Sequence, residues 1–189
     1  MTDRTRDARP SRRLAFICGA AAAALAVYSW GDLVVRPYVV PTSSMEPTLR
    51  CSADYDGCSG ASSDRLLVVP LVYRLRGPRR GEIVVFSAPD RATRVCAGGY
   101  LIKRIVGIAG DVVTVDADGA TVTTETVAPR RPQRARLRRQ VKLGAGEYFV
   151  VGDNRGASCD SRNWGPVARS EIIGPALLRY WPLERLGRP

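Results

Sequence analysis

The chain has 189 residues, 45% of them hydrophobic and 25% charged, with a formal net charge of +11, five cysteines and no histidine. That length suits a single domain, and the missing histidine excludes every Ser-His-Asp or Cys-His site and every metal site built on imidazole. Only two of the 29 basic residues are lysines, Lys103 and Lys142; arginine stays protonated in proteins whereas a buried lysine can be neutral, so a lysine here is a candidate for a special task.

From the N-terminus, Arg4, Arg6, Arg9, Arg12 and Arg13 stand against Asp3 and Asp7, and Leu14 to Trp30 then runs without a charge. As a helix this stretch spans about 25 Å, and about 33 Å if continued to Val35, against a hydrocarbon core of ~30 Å. The expectation is a basic cytoplasmic tail over 1–13 and a transmembrane anchor over 14–35. Tyr28 and Trp30 would sit at the far interface, with everything from residue 36 extracytoplasmic. A cleavable secretory signal competes, because Ala24-Leu25-Ala26 has the small-x-small form of a cleavage site. The anchor is preferred because the apolar stretch resumes at Leu33-Val34-Val35.

Both readings place the rest of the chain in an oxidising compartment, where cysteine pairs persist. Cys18 falls in the span and reads as a small apolar residue. Cys51, Cys58, Cys96 and Cys159 allow three pairings. Cys51–Cys58, closing the short polar loop CSADYDGC, is preferred and leaves Cys96–Cys159; a metal site is the weaker alternative, with neither CxxC spacing nor histidine.

Beyond the anchor, Leu66–Val72, Glu82–Phe86, Tyr100–Ile108, Val112–Val115, Thr121–Val127, Glu147–Val151 and Ile172–Trp181 read as strands, rich in Val, Ile, Thr and Tyr and separated by Gly/Pro/Asp/Asn turns. No segment after Val40 keeps a helical period over ten residues. The expected fold is a mostly-β domain over 36–189, with a peripheral insertion at about 112–146. Within it Arg130 to Lys142 carries seven basic residues and no acid. Without aromatics for base stacking this run argues against nucleic acid as a partner, and it reads as a solvated loop near lipid head groups.

Two segments suggest chemistry. PTSSMEPTL, Pro41 to Leu49, packs hydroxyls between prolines; at its plainest it is a turn in which Ser43 or Ser44 caps something short. In YLIKRIVGIAGD, Tyr100 to Asp111, a strand puts Leu101, Lys103 and Ile105 on one face, so Lys103 has apolar neighbours. Burial disfavours the charged amine, and a shift of about 2–3 units would bring it to the range of a general base. Lys142, in the basic run, reads instead as a snorkelling side chain. A histidine-free chain, a hydroxyl-rich turn and a lysine in an apolar strand together suggest a Ser–Lys dyad.

PTSSMEPTL, RGEIVVF, YLIKRIVGIAGD and GDNRGASCDSRNWGPV, in this order behind one apolar span, resemble bacterial type I signal peptidase. The resemblance implies a signal-peptidase-like β-domain behind one N-terminal transmembrane helix. By it Ser44 would be the nucleophile and Lys103 its base, with the Ser44 backbone N–H and the Thr42 hydroxyl forming the oxyanion hole. Ser158 would orient the lysine amine and Asp160 and Arg162 would support the site, while Asp153, Asn154 and Arg155 would form a structural turn. It implies no metal or organic cofactor. The partners would be secreted preproteins with small residues at −1 and −3, and the lipid bilayer, met by a monomer in the cell membrane. Two features depart from the family's pattern: Arg50 to Asp64 intervenes after the nucleophile box, and Cys159 stands where a small residue such as Ala is usual. A protease dedicated to one substrate of a pilus or conjugative system, or a silent tethered binding domain, are the rival functions. The self-cleaving repressors that share the dyad would need a helix-turn-helix where the anchor stands.

Overall fold

A computed structural model describes residues 35–54, 57–96, 98–116, 119–123 and 139–189. The predicted tail and all but Val35 of the predicted anchor lie outside the described residues, as do 124–127 of the predicted hairpin and 130–138 of the basic run. Among the described residues no helix is long and apolar enough to cross a membrane.

The chain folds as β1 (Arg36–Val39), β2 (Arg65–Val68), β3 (Ile83–Ser87), β4 (Tyr100–Gly107), β5 (Val112–Asp116), β6 (Gly119–Thr123), β7 (Arg139–Lys142), β8 (Glu147–Val151), β9 (Val167–Ala168) and β10 (Ile172–Trp181), with four-residue helices α1 (Val72–Leu75), α2 (Asp90–Thr93) and α3 (Ser161–Trp164). Seven strands form one sheet in the order β1-β2-β10-β3-β4-β8-β9, and β6-β5-β7 form a second. Every pairing between these strands is antiparallel among the described residues. The mostly-β expectation is met.

The central strands follow from their side chains. In β3 the run Ile83-Val84-Val85-Phe86 is buried throughout, and strand alternation deals it to two cores. Ile83 and Val85 join a cluster with Val40, Met45 and Leu49, whereas Val84 and Phe86 join one with Ile105, Val150 and Trp164. β4 divides the same way, Ile102 to the first cluster and Leu101 and Ile105 to the second. A third cluster of Val113, Leu143, Phe149 and Val151 joins the small sheet to the large one.

Sequence and structure differ mainly at edges. The run read as one strand over Leu66–Val72 stops at Val68, because Pro70 lacks an N–H for the ladder and opens a turn into α1. β1, β7 and β9 were not anticipated, and each is an outermost strand of its sheet. With one face exposed, β1 and β7 lack the continuous apolar run that marks a central strand.

Candidate active site

Ser44 lies in a single 3-10 turn, Ser43–Met45, whose three residues are buried. Neither serine caps it. The N-cap position belongs to Thr42, which makes no side-chain capping bond; its hydroxyl stands 3.2 Å from Ser44 Oγ. From the other wall, β4 delivers Lys103 opposite the buried Val84 of β3. The lysine is only 4% exposed, and its Nζ lies 2.7 Å from Ser44 Oγ and donates to Ile102 O at 3.0 Å. Burial brings the amine down to about 8, against the opposing pull of Asp160 and then Asp153. An apolar strand thus creates a lysine that is substantially neutral at mildly alkaline pH.

The turn after β8 closes over this pair. The Asn154 backbone N–H donates to Ser44 O and its side-chain amide to Ser43 O, both at 3.1 Å. Gly152 makes this approach possible: a Cβ there would collide with the Ser44 carbonyl oxygen and the Ser158 hydroxyl. Beside it Asp153 pairs in two-pronged fashion with Arg104, at 2.9 and 2.7 Å. Burial would raise the Asp153 carboxyl, but Arg104 and the Thr48 hydroxyl hold it below the usual range.

Asp160 is fully buried and caps α3. Its carboxylate accepts from Gly152 N at 2.9 Å and from Arg162 Nε at 2.8 Å and Nη2 at 2.9 Å. Burial again pushes upward, and Arg162 and the Gly152 N–H outweigh it, so Asp160 stays ionised. Arg162 also donates to Arg155 O and Ser158 O, tying the segment together. Ser158 Oγ is buried with no partner at hydrogen-bonding geometry, Lys103 included. It is nevertheless near enough to Asp160 to favour the carboxylate.

Thr42, Ser44, Lys103, Ser158, Asp160 and Arg162 therefore converge from three distant stretches of chain. A cavity of about 360 Å³ opens beside Ser44 and Lys103, with Tyr38, Val40, Tyr100 and Ile102 in its walls. The rings of Tyr38 and Tyr100 meet edge to face across it, centroids 5.6 Å apart.

Both disulfides take the preferred pairing, Cys51–Cys58 and Cys96–Cys159. The second links the stretch before Gly98, which also lines the cavity, to the residue preceding Asp160. With its cysteines 63 positions apart in the chain, the loop-closure model assigns this bridge about 4 kcal/mol. A Cys96→Ala/Cys159→Ala protein is expected to lose stability of that order in urea unfolding and to cleave more slowly. Full activity of Cys159→Ala would show that the site does not depend on the bridge.

Residues 12–181 match the family described as signal peptidase, peptidase S26. The chain belongs to that family. Among the signal peptidases it resembles, a probable signal peptidase I-2 of Synechocystis sp. is 38% identical over 82% of this chain and 66% of its own length. The signal peptidase I of Leptolyngbya laminosa is 33% identical over 82% of this chain and 72% of its own. That of Mycobacterium tuberculosis is 29% identical over 98% and 78%. Signal peptidases are serine endopeptidases that cleave signal peptides, and the chain is a serine peptidase of this class.

Two residues that shape this signal peptidase site had no assigned part in the chemistry at the level of sequence. Gly152 and Asn154 read as ordinary turn formers. A glycine ahead of an Asp-Asn pair is a signal for a close backbone approach, but only the fold says to what.

Proposed function

We propose that the chain is a membrane-tethered signal peptidase in which Ser44 is the nucleophile and Lys103 its general base. The observation that carries this reading is the 2.7 Å separation of Lys103 Nζ and Ser44 Oγ in a buried setting. Neutral Lys103 takes the hydroxyl proton as Ser44 Oγ attacks the carbonyl carbon of the residue at −1. The Thr42 hydroxyl and the Ser44 N–H stabilise the oxyanion. As the scissile C–N bond breaks, Lys103 returns the proton to the departing amine. A water then loses its proton to Lys103 and attacks the ester; collapse releases the carboxylic acid and restores Ser44. Asp160, held ionised by Arg162, fixes the segment that carries Ser158 against Gly152, beside the base.

The substrate is the extended cleavage region of a secreted preprotein, with small residues at −1 and −3 entering the apolar cavity. The tail 1–13 lies in the cytoplasm, 14–35 crosses the bilayer, and the catalytic region from 36 onward works as a monomer on the far side, with its peripheral insertion at about 112–146. Arg12-Arg13 before the apolar span and the two disulfides beyond it support this orientation.

The test is cleavage of a preprotein by the detergent-solubilised protein beside Ser44→Ala and Lys103→Arg variants. Both variants are expected to be inactive; parent-like cleavage by both would end the dyad assignment. Because the base must be unprotonated, the parent's rate should climb with pH through a midpoint near 8 and level off above it. An oxyanion donor is worth about 2.7–4 kcal/mol, so Thr42→Val is expected to lower kcat by roughly 100- to 1000-fold, read from the same assay under saturating substrate.

A further inference from the structure

The stretch between the nucleophile turn and β2 has no part in the mechanism above, yet it is closely built. Cys51–Cys58 closes it. Inside, Ala53 N donates to Gly60 O at 2.7 Å, Gly60 N to Cys51 O at 2.9 Å and Ser52 N to Ser63 Oγ at 3.0 Å. Arg50 N is received by the buried Asp64 carboxylate at 2.9 Å. Such a knot presents a fixed surface, and that surface faces the nucleophile turn. Ser59 gives Glu46 two hydrogen bonds, from its N–H at 3.1 Å and its hydroxyl at 2.8 Å. Gly57, at φ +74°, packs so closely on Ser43 that a Cβ would stand 3.2 Å from Ser43 Oγ.

Met45 anchors the turn in the core beside Val40 and Leu49, but the backbone around Ser44 depends on further contacts. It is one 3-10 turn without a side-chain cap. The Ser43 and Ser44 carbonyls are held by Asn154 and the Met45 carbonyl by Leu49 N at 2.9 Å, and Glu46, the residue immediately after the turn, is held by Ser59. Contacts at both Ser43–Ser44 and Glu46 fix the backbone on either side of Met45 along the chain, and about an ångström of displacement of Ser44 Oγ from Lys103 costs heavily in such a reaction.

We infer that the Cys51–Cys58 knot is a positioning element for the reaction, acting through the Ser59–Glu46 pair to hold the Ser43–Met45 turn where Ser44 meets Lys103. Ser59 and Glu46 touch no reacting atom in this scheme, and Ser59 would be a positioning residue although it lies well outside the nucleophile box. The inference rests on Ser44 being the nucleophile.

The experiment measures preprotein cleavage by full-length protein in detergent for Ser59→Ala, Ser59→Thr, Glu46→Gln and Cys51→Ser/Cys58→Ser, well below each variant's melting temperature. Ser59→Ala, Glu46→Gln and the double cysteine variant are expected to lose about tenfold in kcat with KM within twofold. Ser59→Thr, which keeps both donors, should retain parental kcat. The Ser59→Ala/Glu46→Gln double variant should be no slower than the worse single one, because the two residues act as one contact. Lowered melting temperatures with unchanged kcat would make the knot a purely structural brace and overturn the inference. So would a loss in Ser59→Thr equal to that in Ser59→Ala, or losses that multiply. A fully active Ser44→Ala protein would instead overturn the assignment of the nucleophile, so the two failures are distinguishable.

Discussion

Replacing Lys103 by methionine is expected to give a folded protein that is at least about 10⁴-fold slower and yet more stable than the parent at neutral pH. The loss follows from removing the base of a coupled nucleophile–base pair. The gain follows from linkage. A lysine that titrates near 10.5 in the unfolded chain and at about 8 in the fold is one the unfolded state protonates more readily between those values. Parental stability therefore rises with pH across that window and carries the full penalty below it, about 3 kcal/mol. Methionine fills the same buried space without a charge to desolvate. Denaturant unfolding at pH 7 should show the variant ahead by about 2–3 kcal/mol, and at pH 10.5 the gap should have closed. A variant that is weaker at pH 7, or a gap independent of pH, would mean that the charged Lys103 amine is not buried at a cost.

Gly152→Ala is the second large expected effect. One methyl group there would meet the Ser44 carbonyl oxygen and the Ser158 hydroxyl at distances no structure tolerates, so the turn must retreat. The retreat would strip Asn154 from the carbonyls of Ser43 and Ser44 and the Gly152 N–H from Asp160. We expect preprotein cleavage to fall by more than about 10³-fold and stability by about 2–4 kcal/mol, of the kind seen for overpacking that also breaks a buried hydrogen-bond network. Glycine to alanine at Gly156, where a Cβ meets nothing within 4 Å, serves as the control and should be close to parental. If Gly152→Ala cleaves within tenfold of that control, the close approach is not needed for the reaction.

The fold is legible in the sequence in proportion to burial. β3 announces itself because a strand covered on both faces needs apolar residues at nearly every position, and the predicted Glu147–Val151 and Ile172–Trp181, marked by Val, Ile and aromatic residues between turn formers, coincide with β8 and β10. β1, β7 and β9 were missed because an edge strand is stabilised by its one neighbour and carries little pattern of its own. Ser44 and Lys103 were legible through chemistry: without histidine, a serine nucleophile leaves few candidates for a base, and one lysine stands among valines and isoleucines. The contacts of Ser59 with Glu46, and of Gly152 with Ser44, join residues that sequence spacing does not relate. Such pairings are set by how turns pack after the sheet has formed.

The place of β10 makes two separate parts of the chain depend on one strand. Ser44 follows β1 and precedes β2, Lys103 lies on β4, and the C-terminal strand is what joins β2 to β3. While the chain is still being made, the half with the nucleophile and the half with the base lack their shared neighbour. A chain without Ile172–Trp181 would keep Thr42, Ser44, Lys103, Ser158, Asp160 and Arg162 but lose the one strand that pairs with both β2 and β3, and is expected to be inactive in preprotein cleavage.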